Sequence, residues 1–128
     1  MILDTSAVIA VLFREKNHER LKEAMSGASV LGIGAPTLLE AGMVAVGNFD
    51  ERGRRLVAQF LRELGVDVLP FDERHWRAAI DAFSRYGRGR HPAALNYGDC
   101  MSYATASVAE APLLFIGDDF ARTDAVPV

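Results

Sequence analysis

Four acidic residues stand where the local sequence gives an acid little reason to be: Asp4, Glu40, Asp99 and Asp118. Asp4 follows the apolar Met1-Ile2-Leu3 and precedes the run Ala7 to Phe13. Glu40 is the only charge between Glu23 and Asp50, and Asp99 the only one between Arg90 and Glu110. Asp118 comes directly after the apolar Leu113-Leu114-Phe115-Ile116 and Gly117. An ionised carboxylate is costly to bury unless it is paired or bound to metal, and no Lys or Arg adjoins any of the four. Brought together, they make a site for Mg²⁺ or Mn²⁺, which prefer oxygen ligands. Two such ions about 3.5–4 Å apart activate water and stabilise the leaving oxygen in phosphodiester cleavage.

Nearby small residues extend that chemistry. Thr5 and Ser6 carry hydroxyls able to hydrogen-bond Asp4 or a water on the metal, and Ser102 shares a helix face with Asp99. Each acid also has a plainer reading. Asp4 and Asp99 stand where helix caps are expected, Asp118 and Asp119 can serve a turn, and Glu40 can be an exposed position in an apolar helix. The joint placement carries the metal reading.

Other chemistries find less support. The single cysteine, Cys100, excludes an intramolecular disulfide and a multi-cysteine zinc site, and in its apolar surroundings reads as a small core residue. His18, His75 and His91 are spaced unlike zinc ligands. No G-x-S-x-G, Walker A or G-x-G-x-x-G motif occurs.

The elements that must position the acids alternate short apolar strands with helices. Ile2-Leu3 reads as a buried strand, followed by a helix to about Phe13. A helix from His18 to Ser26 ends at Gly27, and Val30 to Gly34 is a strand. Pro36 opens an apolar helix to about Gly47. A helix after Asp50-Glu51 presents Leu56, Val57, Phe60, Leu61 and Leu64, and stops at Gly65. Val66 to Leu69 is a strand; Asp72 caps a helix to about Tyr86, with Trp76 and Phe83 expected in the core. A Gly/Pro-bearing basic loop leads to a helix from Tyr97 to Ala109, then a strand over Leu113 to Ile116. The tail holds a turn at Asp119-Phe120 and an expected last strand over Ala125 to Val128. Such alternation implies a parallel sheet covered on both faces. Ligands bind such sheets at the carboxyl ends of the strands, the edge to which all four acids map.

At 128 residues the chain suits one domain. Half of it is hydrophobic, and its 14 basic and 17 acidic residues leave a net charge of −3. That sum is low for a simple nucleic-acid-binding module, although an acidic metal site lowers it. Basic charge is local: Arg85, Arg88, Arg90 and His91 lie in a stretch without an acid between Asp81 and Asp99, either a solvated loop or a contact for phosphates. No signal peptide or membrane span is expected, which points to a cytoplasmic protein.

Four segments in order resemble one family. Met1-Ile2-Leu3-Asp4-Thr5-Ser6-Ala7, Leu38-Leu39-Glu40, Tyr86 to Cys100 and Pro112 to Asp124 are similar to PIN-domain proteins, in particular the VapC toxins of bacterial type II toxin–antitoxin pairs. The resemblance implies a three-layer α/β/α PIN domain over residues 1–128, with a small, mostly parallel twisted sheet. It implies a Mg²⁺- or Mn²⁺-dependent endoribonuclease, with Asp4 and Asp99 as principal metal ligands and Glu40 completing the site. Asp118 matches the fourth acid, with its neighbour Asp119 as competitor. It also implies a homodimer held inactive by a VapB-type antitoxin. RNA contact by Arg85, Arg88, Arg90 and His91 is an expectation of the charge pattern alone. The alternatives are a non-catalytic PIN-fold binding module and a receiver-like phosphoryl-transfer domain; the absence of any lysine after Lys22 argues against the second.

Overall fold

The computed structural model describes residues 1–127. Its centre is a four-stranded, all-parallel sheet in the order β3-β2-β1-β4, with β1 at Ile2–Leu3, β2 at Leu31–Gly34, β3 at Val66–Leu69 and β4 at Leu113–Leu114. Side chains alternate across a strand, and the two cores follow that alternation. Leu3, Leu31, Ile33, Val66 and Leu114 face a core built with α1 (Thr5–Leu12), α2 (His18–Gly27) and Phe60 of α4 (Glu51–Leu64). Ile2 and Leu113 face the opposite core, with α5 (Glu73–Tyr86), α6 (Tyr97–Ala109) and Phe120 of a short 3₁₀ turn (Phe120–Arg122). Helix α3 (Ala35–Phe49) packs along α4 and also reaches α1 and α6.

The chain leaves β1 toward β2 on one side, while β4 returns to pair with β1 on the other. Such a reversal makes the carboxyl ends of β1 and β4 the edge at which parallel sheets bind ligands. Asp4 sits at that end of β1, and its amide donates to the Leu114 carbonyl at 3.0 Å.

Some expectations are corrected. Trp76 and Phe83 are 55% and 41% exposed rather than buried, and Ile80 beside them is 50% exposed. Helix α5 turns His75 and Ala82 inward instead. A helical apolar stripe fixes which residues share a face, not what that face meets. The fourth strand stops at Leu114, and Ile116 is exposed. Residues 125–127 form no strand, only a bridge from Pro127 to Leu113; Val128 lies outside the described residues.

Candidate active site

Asp4 is the only buried acid among the described residues, at 5% exposure. It caps α1, its Oδ2 accepting from the Ser6 amide at 3.0 Å and the Ser6 hydroxyl at 2.6 Å. Its Oδ1 accepts from the Ser102 hydroxyl at 2.5 Å, which lies 3.3 Å from the buried Thr37 hydroxyl. The Ser6 oxygen also accepts from the Ile116 amide at 3.0 Å, tying the segment that leaves β4 to the acid. Ser102, expected beside Asp99, thus serves Asp4 instead. Thr37 was not singled out in the sequence; its only signal there is its place one helical turn before Glu40.

Asp99 enters from α6 through a reciprocal cap. Its amide donates to Asn96 Oδ1 at 2.9 Å, and its Oδ2 accepts from the Asn96 amide at 3.0 Å. Burial, the largest influence, pushes its pKa up to about 6; the Asn96 amide lowers it, and the charges of Asp4, Asp119 and Glu40 raise it further. The plain helix-cap reading is therefore true of both Asp4 and Asp99, yet leaves the cost of Asp99's charge unmet.

Glu40 lies in the second turn of α3 and is exposed. Its Oε1 accepts from the Thr5 hydroxyl, and its carboxylate fills the space where a β-carbon on Gly98 would stand. It therefore touches the residue after Asp4 and the residue before Asp99. Asp118 and Asp119 are both exposed and follow Gly117, whose φ of +105° turns the chain. Of that pair, it is the Asp119 charge that acts on Asp99. Phe120 anchors the turn, its ring 5.1 Å from that of Phe115.

None of these five acids joins an ion pair among the described residues. Nor, among those residues, do three acidic, histidine or cysteine side chains close into a ready-made cage. The arrangement is open, with hydroxyls and amides holding the carboxylates. An all-oxygen donor set of this kind fits a hard divalent cation that keeps several of its own waters. Cys100 is buried, and burial followed by the Asp99 charge pushes its thiol pKa up, which suits the core role read from the sequence.

The basic loop is pinned at its base, where Arg88 donates its amide to the Leu95 carbonyl at 3.0 Å and Leu95 donates to Tyr86 at 2.9 Å. Arg88 and Arg90 are exposed, with Arg90 over the Phe83 ring at 5.7 Å. Arg85 is engaged elsewhere: it pairs with Asp124 at 3.1 Å and stacks on Tyr86 at 4.8 Å. His91 Nδ1 accepts from the Ala93 amide at 3.0 Å, shaping the loop.

Comparisons with known proteins agree with this architecture. The PIN domain family model matches residues 1–126. Ribonuclease VapC36 of Mycobacterium tuberculosis is 43% identical over 125 residues, covering 97% of this chain and 90% of the relative. Ribonuclease VapC of Mycolicibacterium smegmatis is 41% identical over 128 residues, covering 100% and 99%. Among solved structures, the Mycobacterium tuberculosis toxin VapC20, which cleaves the sarcin–ricin loop, superposes with a TM-score of 0.79 at 18% identity, covering 99% of this chain and 97% of that one. VapBC2 from Rickettsia felis, bound to a DNA fragment from its promoter, gives a TM-score of 0.75 at 15% identity over 98% and 94%. At those identities the structural matches speak for the fold. Matched over nearly its whole length by the family model and by these ribonucleases, the chain belongs to the PIN-domain family, within its VapC group.

Proposed function

We propose that the protein is the toxin of a type II toxin–antitoxin pair, an endoribonuclease that works with Mg²⁺ or Mn²⁺ on RNA in the cytoplasm. The observation that carries the reading is the environment of Asp99: a half-buried carboxylate raised by burial and by Asp4, Asp119 and Glu40. Asp4, Asp99 and Glu40 would hold the cation, with Asp119 favoured over Asp118 as fourth acid because its charge acts on Asp99. A divalent cation there supplies positive charge to the phosphate under attack and makes water a better nucleophile. The chain's own work is positional. Ser6 and Ser102 fix both oxygens of Asp4, Thr5 holds Glu40, and Asn96 orients Asp99. Arg88 and Arg90 on the loop preceding α6 would contact the RNA backbone.

Two apolar surfaces support the protein partners of this reading, a VapB-type antitoxin and a second copy of the chain. One is the groove between α3 and α4, lined by Leu38, Leu39, Met43, Val46 and Leu61. The other is the α5–α6 face with exposed Trp76, Ile80, Phe83 and Tyr97. Surfaces of this kind mark interaction sites. Met43→Glu and Trp76→Glu, tested for dimerisation and antitoxin binding, assign the faces; if neither moves either property, the partner reading fails.

The activity is tested by incubating total cellular RNA with purified, partner-free protein in Mg²⁺, Mn²⁺ or EDTA. Discrete metal-dependent fragments, lost in Asp4→Asn and Asp99→Asn, are expected. No cleavage by wild type that binds metal would favour a non-catalytic PIN module.

A further inference from the structure

We propose that Gly98 is the positioning residue for Glu40: its missing side chain leaves the space in which the Glu40 carboxylate sits between Asp4 and Asp99. The inference rests on the nuclease reading above and concerns a residue outside the acid set.

Gly98 is the second residue of α6, between Tyr97 and Asp99. Its backbone gives no reason for glycine, because it lies in a right-handed helix and is absent from the positive-φ positions. Glycine is a poor helix former, so its presence here calls for a cause outside the helix. The cause is the neighbouring side chain. A β-carbon built on Gly98 would lie 3.1 Å from both Glu40 Cδ and Oε1, and closer still to Oε2. Nothing else comes within 4 Å of that β-carbon before the Glu40 carboxylate does. The volume of one methyl group is thus occupied by the carboxylate itself.

The other side of Glu40 is fixed by the Thr5 hydroxyl, which donates to Oε1. Thr5 follows Asp4 and Gly98 precedes Asp99, so the carboxylate is seated between the starts of α1 and α6. A side chain at position 98 would push Glu40 out of that seat. The obstacle is the far end of a flexible, exposed side chain, so Glu40 can swing into solvent without disturbing the fold. Gly98→Ala should therefore harm the site while sparing stability. This is the opposite of Gly53, where a β-carbon would meet the backbone of Ala45 and Val46 and the helix pair itself would have to move.

Shortening the acid should relieve the crowding. Aspartate at position 40 is one methylene shorter and withdraws from the methyl group while keeping its charge. Glu40→Asp alone is expected to weaken the site, because the carboxylate no longer reaches Thr5. In the Gly98→Ala/Glu40→Asp double variant the two losses should not multiply.

The experiment measures Mn²⁺ affinity by titration calorimetry, melting temperature, and the kcat and KM of RNA cleavage for wild type, G98A, E40D and the double variant, each as the full chain. G98A should lose on the order of tenfold in Mn²⁺ affinity and in kcat, with KM little changed and the melting temperature unchanged or higher. The double variant should be no worse than E40D alone, which is the signature of coupling between contacting residues. Wild-type affinity and kcat in G98A, or losses that multiply in the double variant, would overturn the proposal. So would a fall in melting temperature that accounts for the loss, since position 98 would then serve packing. Wild type that neither binds Mn²⁺ nor cleaves RNA overturns the nuclease reading itself, and this proposal with it.

Discussion

Asp99 and Asp124 lie close to the same helix and meet opposite fates. Asp99 sits in the first turn of α6; Tyr103, one turn further, donates its hydroxyl to Asp124. The Tyr103 hydroxyl, followed by burial in the opposite sense and then Arg85, holds the Asp124 carboxyl below its ordinary range. Asp99 is pushed up to about 6, first by burial and then, against the Asn96 amide, by other acids. Asp124 arrives with a donor and a cation, and its charge is settled within the chain. Asp99 arrives among like charges, and among the described residues no cation pairs with it. On the proposed reading, the functional carboxylate differs from the structural one in what surrounds it, not in residue type or depth alone.

The largest effect that sharpens this contrast is on chemistry. Asp4→Asn and Asp99→Asn should each lower metal-dependent RNA cleavage on the order of a hundredfold or more. Asp124→Asn should leave kcat within a few-fold of wild type. If the missing partner of Asp99 is a divalent cation, Mg²⁺ at a hundred times its Kd should stabilise the wild-type fold by about 2.7 kcal/mol. Thermal melts with and without Mg²⁺ measure this, and Asp99→Asn should lose most of the shift. An equal loss of cleavage in Asp124→Asn would break the comparison.

The next effect is on pH dependence, where the two acids should act with opposite sign. Burial first, and then its acidic neighbours, push the Asp99 pKa up to about 6 from the ordinary aspartate range. Its protonation therefore stabilises the metal-free protein: that contribution is full below the unfolded pKa and is lost as pH rises through the folded one. Asp124 is lowered, so its stabilisation is full above the unfolded value and is lost only as pH falls through its depressed folded pKa. The difference in melting temperature between wild type and Asp99→Asn, followed from about pH 4 to pH 8, isolates the first effect. Saturating Mg²⁺ should reverse its slope, because the cation binds the ionised carboxylates. A flat difference without metal would show that Asp99 carries no unmet charge.

Smaller still is the cost of opening the clamp. Both Arg85 and Asp124 are more than half exposed, at 55% and 54% of side-chain area, and such an ion pair contributes little. The Tyr103 hydrogen bond should dominate, so Tyr103→Phe is expected to cost about 1 kcal/mol in denaturant unfolding. A loss several times larger would mean that the clamp holds the whole tail, including the Asp118-Asp119 turn.

The Asp99 side of this contrast is legible in the sequence, for a physical reason. Acids isolated in apolar runs without a neighbouring cation are conspicuous, and Asp4 and Asp99 were readable that way. Strand–helix alternation placed them at one edge, because parallel connections return every strand in the same direction. Partners distant along the chain were not readable. Ser102 lies 98 residues from Asp4, and nothing local says that its hydroxyl crosses to β1 rather than remaining beside Asp99. The Arg85–Asp124 pair, 39 residues apart, was hidden for the same reason, so Arg85 was grouped with its basic neighbours. Trp76 and Phe83 mark a different limit. Periodicity showed that they share a face, but the matter they would pack against is not in the chain's own core.

The basic residues extend the comparison from acids to cations, with the smallest effect. Arg85 has a carboxylate, whereas Arg88 and Arg90 are exposed on a loop whose base is pinned by backbone hydrogen bonds. Among the described residues neither is in an ion pair. A cation that pays no structural role should show itself through a polyanion. Arg88→Ala and Arg90→Ala should each weaken RNA binding by catalytically silent Asp99→Asn protein and flatten its dependence on the logarithm of salt concentration by about 1 per contact or less. Melting temperatures should change little, since neither guanidinium is ion-paired among the described residues and the one stacking contact, Arg90 on Phe83, is with an exposed ring. Arg85→Ala should do the reverse, shifting stability slightly and leaving the salt slope alone. An unchanged slope in the Arg88/Arg90 double variant would make the loop a solvated turn, and the path of the RNA would then have to avoid it.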